Sequence, residues 1–374
     1  MCLWALEEGI HIANRFWVGG AGAWADDDNH WATSSGGSPG NGNLPTTTDD
    51  VIIDNSSGFG GGGTITIAGL DVVCHDFTVT TTHTFTIHDG GLGCYGSVTL
   101  RSNLTFGQEA TPLALELLSV DAGESIDTSG CTIVGEVRVY STGGWSLLSD
   151  LELTSVLRVH KGTFDANDFN ITCSETEIYP ESNLTLNMGS GTWEVTGLTW
   201  AVEYNEPFTV TVNAETSLIK FTGTGPDMLL LDEVQFTSRD NVTYYDLWFN
   251  GNFASPHYIQ FTGTNVSFHE IKVDPPTTVK FTGNTTTVVE SFDVSGTSGN
   301  TIALNSNDGS TQFTLSKSSG TVACDYLNIS NSNATGGAAW YAGANSADTA
   351  NNDGWIFSAA PTQIGSSRSN IILQ

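Results

Sequence analysis

A five-residue phrase returns in register three times in this chain: Ile219-Lys220-Phe221-Thr222-Gly223, Ile259-Gln260-Phe261-Thr262-Gly263 and Val279-Lys280-Phe281-Thr282-Gly283. The phenylalanines stand 40 and then 20 positions apart, so the unit is about 20 residues and the wider gap holds two units. Each phrase alternates apolar and polar residues and stops at glycine, which describes a half-buried strand ended by a turn. A unit this short cannot bury its apolar face alone and must stack on copies of itself. The pattern predicts an all-β fold, a parallel β-solenoid (β-helix) with about 20 residues per rung. Phe221, Phe261 and Phe281 are expected to form one inward column. About fifteen rungs at strand spacing would make a rod roughly 70 Å long.

The rest of the chain divides around this repeat. Residues 1–15 read as an N-terminal arm and 16–63 as an aromatic, glycine-rich cap. The solenoid runs over 64–319, with a less regular stretch near 199–258 that is expected to bulge from the rod. A second cap spans 320–357, and 358–374 is a polar tail ending in the apolar Ile371-Ile372-Leu373. Trp17, Trp24 and Trp31 are spaced by seven, as in a helical heptad, but Gly19, Gly20, Gly22, Gly36 and Gly37 argue against helix. These tryptophans, with Trp340 and Trp355 at the other end, are expected to plug the open ends of the solenoid. The nearest helical candidate, Pro112 to Val120, carries Leu113, Leu115 and Leu117 at strand spacing.

Eleven basic residues against 41 acidic ones give a formal charge of −30. Such a surface repels phosphate backbones and anionic membranes, which argues against nucleic acid as a partner. No apolar run approaches membrane-spanning length, so no membrane insertion is expected. The opening Met1-Cys2-Leu3-Trp4-Ala5-Leu6-Glu7-Glu8 has neither the basic segment nor the apolar core of a signal peptide. Synthesis in a host cytoplasm without export is the expectation. Cys74, Cys94, Cys131 and Cys173 are separated by close to one, two and two units, so equivalent inward positions are expected for them.

Candidate sites are few. In Val134-Gly135-Glu136-Val137-Arg138-Val139 alternation turns Glu136 and Arg138 outward, and Glu152, Glu175 and Glu177 follow the same logic. Paired carboxylates on one face of a solenoid can cleave glycosidic bonds. With this many acids on a rod, the expected role is nevertheless solvated carboxylates paired with Arg138 or Arg158, and no catalytic residue is assigned. The histidines are scattered without a metal-ligand spacing. Asp26, Asp28, Asp49 and Asp50 belong to the densest acidic cluster, which suits either Ca2+ or acceptance of backbone N–H groups in turns. No other cofactor is implied. Tyr244, Tyr245 and Trp248, in the irregular stretch, are candidates for a carbohydrate or partner contact.

Both ends carry a resemblance. Trp17-Val18-Gly19-Gly20, Gly22, Trp24, His30-Trp31, Ser35-Gly36-Gly37, Pro45 and Asp49-Asp50-Val51 resemble the opening of solenoid proteins from tailed-phage structural modules and bacterial surfaces. Asp325-Tyr326-Leu327, Ala334-Thr335-Gly336-Gly337, Trp340-Tyr341-Ala342-Gly343, Asn345-Ser346 and Gly354-Trp355-Ile356-Phe357 are similar to the closing block of the phage members. The resemblance covers about 80 residues. It implies a virion structural protein such as a fibre, spike or decoration component. Its partners would be other virion proteins of the capsid or tail and, for a displayed rod, a host-surface glycan; solenoid spikes generally form homotrimers. A glycan-cleaving tailspike and a bacterial surface adhesin are the alternatives.

Overall fold

The computed structural model describes residues 13–67, 71–108, 113–223, 233–251, 253 and 258–361. Residues 1–12 of the arm, Cys2, Pro112 and the tail from 362 onward, including its apolar tip, lie outside the described residues.

Strands form where side chains alternate between a filled interior and water. Gly135–Val139 is typical: Val137 and Val139 are buried while Glu136 and Arg138 face out. One such strand has nothing to bury its valines against, so the next turn of chain lies directly upon it in parallel register. On one face Val139 pairs with Val159, Val159 with Ile178, and Ile178 with Val202. The chain completes about 13 turns of roughly 22 residues each, a parallel β-solenoid. Three long ladders make its faces. The first has ten strands, from Ala13–Trp17 to Val210–Asn213; the second has fourteen, starting at Gly22–Ala23 and passing through two long strands onto the first face, where it ends at Ser332–Thr335; the third has thirteen, from Asp71–Cys74 to Ala347–Ala350. Their inward side chains merge into one continuous apolar core along the axis, and removing that surface from water drives the stacking.

Rung length varies, and this overturns the single phenylalanine column. Phe221 lies on the second face, paired with Phe249 in the next turn. Phe261 and Phe281 lie on the third face, in a column that begins at Phe236. The recurring phrase therefore marks strands on two different faces. The cysteines divide likewise. Cys74 and Cys94 stack on the third face with their Sγ atoms 3.8 Å apart, whereas Cys173 pairs with Val195 on the second and Cys131 precedes a second-face strand. All four are buried free thiols.

Aromatic clusters close both ends. Trp17, Trp24 and Trp31 are fully buried. Trp31 meets Trp24 at 4.8 Å and Trp17 at 5.1 Å, edge to face, and its indole N–H donates to the Trp24 carbonyl. His30 stacks flat on Trp17 at 4.6 Å. A four-residue helix, Asp27–His30, sits within this glycine-rich block where no helix was expected. Trp31–Ala32 runs antiparallel along the outermost strand, Ala13–Trp17, and so covers an edge that would otherwise invite another chain. At the far end Trp340 packs against Trp355 at 5.3 Å within a small three-stranded sheet. Among the described residues, no helix is long and apolar enough to cross a membrane.

One face is interrupted. Val210–Asn213 pairs with Leu184–Asn187 below it, but among the described residues no ladder joins it to the next turn. The face resumes at Thr243, bridged to Ser267, and in the leading halves of the long strands Val266–Val273 and Thr286–Val294. At one end of the break side chains span it: Arg239 donates to the Phe208 carbonyl at 3.1 Å, and its guanidinium lies 4.6 Å from the Tyr204 ring centre.

Candidate functional site

The break opens a cleft of about 480 Å³. Its floor is Val212, Ala214, Phe268 and Val288, and its rim carries Tyr245, His269, Glu215 and Glu290. Val210 and Val212, which an intact ladder would cover, are only partly buried. A second depression of about 390 Å³ continues along the same edge past Val210 to Arg239, Asp240 and Val242. Here apolar side chains and an unpaired strand edge meet water.

Two rings mark the rim. Tyr245 and His269 stack at 4.3 Å with planes 8° apart. They come from successive turns, because the His269 backbone N–H donates to the Tyr245 carbonyl. Asp246 then fixes the imidazole through a 2.8 Å contact with Nδ1. This hydrogen bond, reinforced by the carboxylate charges of Asp246, Glu290 and Glu270, raises the His269 pKa above its ordinary value. The rim thus presents an aromatic pair with a cationic tendency beside two exposed carboxylates. Such a set can stack on a sugar ring and exchange hydrogen bonds with its hydroxyls.

The structure separates the three aromatic residues that the sequence groups. Tyr245 lies on the cleft rim. Tyr244 points inward with its hydroxyl 3.0 Å from Ser238 Oγ, and burial pushes its pKa up to about 12. Its ring contributes to the core, so it is withdrawn as a stacking surface for a ligand. Trp248 lies on the second face between two lysines, whose ammonium groups stand 5.2 Å (Lys220) and 4.4 Å (Lys272) from its ring centre; its indole N–H donates to Asp274. Both tyrosines lie in the short connection before the strand Asp246–Phe249, where Tyr244 is buried and Tyr245 is only partly buried.

The acidic residues proposed for calcium do not converge. Asp26 binds the Asn29 amide, Asp28 stands in the short helix, and Asp49 accepts from Thr46 and pairs with Arg15 at 3.2 Å. Asp50 turns instead to His75. The four therefore serve turns and ion pairs at different places, and the shared Ca2+ cluster is withdrawn. Among the described residues one group has metal-ligand geometry, Asp50, His75 and Asp76. Sequence reading missed it because its members are joined by the length of a turn, not by a local motif.

Glu136 and Glu177 are held in a ladder across the third face. Arg138 bridges Glu116 and Glu136, and Arg158 bridges Glu136 and Glu177. Both carboxylate oxygens of Glu136 are taken by guanidinium groups. Glu152 stands alone and exposed on the second face. No family model, curated protein or solved structure matches the chain.

Proposed function

We propose that the chain is a non-catalytic rod of a tailed-phage particle that displays its flank and touches host-surface glycan at the interrupted face. The observation that carries this reading is the cleft: a stacked Tyr245–His269 pair, an apolar floor and two carboxylates at a break in the first-face ladder. The virion assignment rests on the resemblance of the opening and closing blocks, and assembly as a trimer on the habit of such spikes. A rigid rod suits display because its flank keeps a fixed geometry far from its attachment point. The outward carboxylates Glu116, Glu136 and Glu177 on the third face are committed to arginines, which favours a structural role for them over acid–base chemistry.

The test combines binding with composition. Immunogold labelling of phage particles should decorate the virion, and sedimentation should give the mass of three chains. On an array of bacterial envelope and capsular glycans the protein should bind a subset, and Tyr245→Ala should reduce that binding at least tenfold while leaving the circular dichroism unchanged. No oligosaccharide should be released. Release that disappears in Glu215→Gln or Glu290→Gln would replace this reading with a glycan-cleaving enzyme, and an unlabelled particle would remove the virion assignment.

A further inference from the structure

Near the N-terminal end, three side chains converge at a corner of the rod, away from the cleft. Asp50 projects outward from the first-face strand Asp49–Ile53, while His75 and Asp76 form the corner that leads from Asp71–Cys74 into Phe77–Val79. Backbone hydrogen bonds lock the two turns together at this point: His75 N–H donates to the Asp49 carbonyl at 2.8 Å, and Val51 N–H to that of Asp76 at 2.8 Å. The side chains follow. His75 Nδ1 lies 2.9 Å from Asp50 Oδ1 and 3.3 Å from Asp76 Oδ1, and one donor atom from each residue falls within 4.8 Å of the others.

The charges here are unbalanced. Among the described residues neither Asp50 nor Asp76 has a lysine or arginine partner. Glu124, from a higher turn, adds a third carboxylate to the neighbourhood and is tied in through Ser97, whose hydroxyl donates to it at 2.7 Å. Two part-buried carboxylates on one imidazole, with no lysine or arginine between them, make a place where a bound cation is favourable. The turn above leaves room. At Gly96 a Cβ atom would come within 2.1 Å of Asp76 Oδ1 and 2.8 Å of His75 Nδ1, so any other residue would intrude on the donor atoms. The Ser97 N–H holds Asp76 in place at 2.7 Å, and the Asp76 N–H does the same for Asp50 at 3.2 Å.

We infer that Asp50, His75 and Asp76 bind a divalent transition-metal ion of the zinc class, which staples the first two complete turns of the rod. One imidazole nitrogen with two carboxylate oxygens is a borderline donor set that suits Zn2+ and its first-row neighbours. Ca2+ and Mg2+ favour all-oxygen shells. Three protein ligands leave a fourth position for water. The metal takes a neutral imidazole and ionised carboxylates, so affinity falls as pH falls.

Calorimetric titration of the full chain with Zn2+, Ca2+ and Mg2+ tests this. The expected result is one Zn2+ site per chain, little response to Ca2+ or Mg2+, and a higher thermal midpoint with zinc present. His75→Ala and Asp50→Asn should each weaken zinc binding at least tenfold and abolish the thermal shift. Should either variant fold poorly, the wild-type chain still decides the matter, because Zn2+ must perturb the His75 ring resonances in an NMR spectrum assigned by position. Zinc binding that leaves those resonances unmoved, unchanged affinity in both folded variants, or a preference for Ca2+ would overturn the assignment.

Discussion

At the level of single residues, the His269–Asp246 contact makes the cleft responsive to pH. The His269 pKa lies above the ordinary 6.5, chiefly because Asp246 hydrogen-bonds the imidazole. The contribution of this pair is therefore fully present below 6.5 and is lost as pH rises through the elevated value. Because the His269 side chain is 44% exposed, the effect belongs to the site more than to global stability. An NMR titration should place the His269 midpoint above 6.5, and Asp246→Asn should lower it; a wild-type midpoint at or below 6.5 would remove the pair from the account of the cleft. The N-terminal plug depends on residues of another kind. Trp24 is buried among Trp31, Phe77 and the first turns. Trp24→Ala should cost about 3–5 kcal/mol in a urea melt, as expected for a buried large aromatic. A loss below about 1 kcal/mol with the fold intact would mean that the ring contributes little to closing that end.

Among strands, the third-face ladder shows how an acidic chain uses its few cations. Arg138 and Arg158 each join carboxylates from neighbouring turns, so five residues form one network. These side chains are about a third exposed, which keeps the network weak. Arg158→Met should destabilise by about 1 kcal/mol at low salt and by less at 1 M salt, where screening removes most of the pairing; equal losses at both would assign the effect to packing of the side chain. The pairing follows from alternation within strands, which is why Glu136, Arg138 and Glu177 could be placed outward from sequence. The face on which a strand lies was less legible. Phe221 and Phe261 share a phrase yet belong to different faces, because turns of 20 to 28 residues separate stacked partners in this part of the rod. A variable turn length also hides contacts between turns. Asp50 meets His75 across 25 positions, a distance at which no local motif exists, and the Tyr245–His269 stack arises in the same way. Tyr244, one position from Tyr245, turns inward in a connection outside any strand, where no alternation pattern exists to read.

For the molecule as a whole, the interruption of the first face makes a weak point in the rod. A solenoid is held by interfaces between neighbouring turns, and its stability is close to a sum over them. Across the break, among the described residues, two faces supply ladders: Leu218–Phe221 pairs with Asp246–Phe249 on the second, and Thr199–Val202 with Glu233–Thr237 on the third. The first face contributes the Arg239 and Tyr204 side-chain contacts instead. Local opening should therefore be easier here than between turns joined on three faces, since it gives up fewer hydrogen bonds. In hydrogen–deuterium exchange the amides of Val210–Asn213 and of residues 239–243 should exchange faster than those of Leu184–Asn187, one turn below. Denaturant should resolve two transitions, one for the turns on each side. Uniform protection across the break together with a single cooperative transition would show that the two remaining ladders couple the halves fully. A glycan seated against Tyr245 and Val212 would bridge the halves and slow exchange there, so the same measurement repeated with a bound ligand joins the mechanics of the rod to its proposed contact. Slowing confined to the cleft, and absent in Tyr245→Ala, is the expected result; slowing elsewhere would move the contact to another part of the surface.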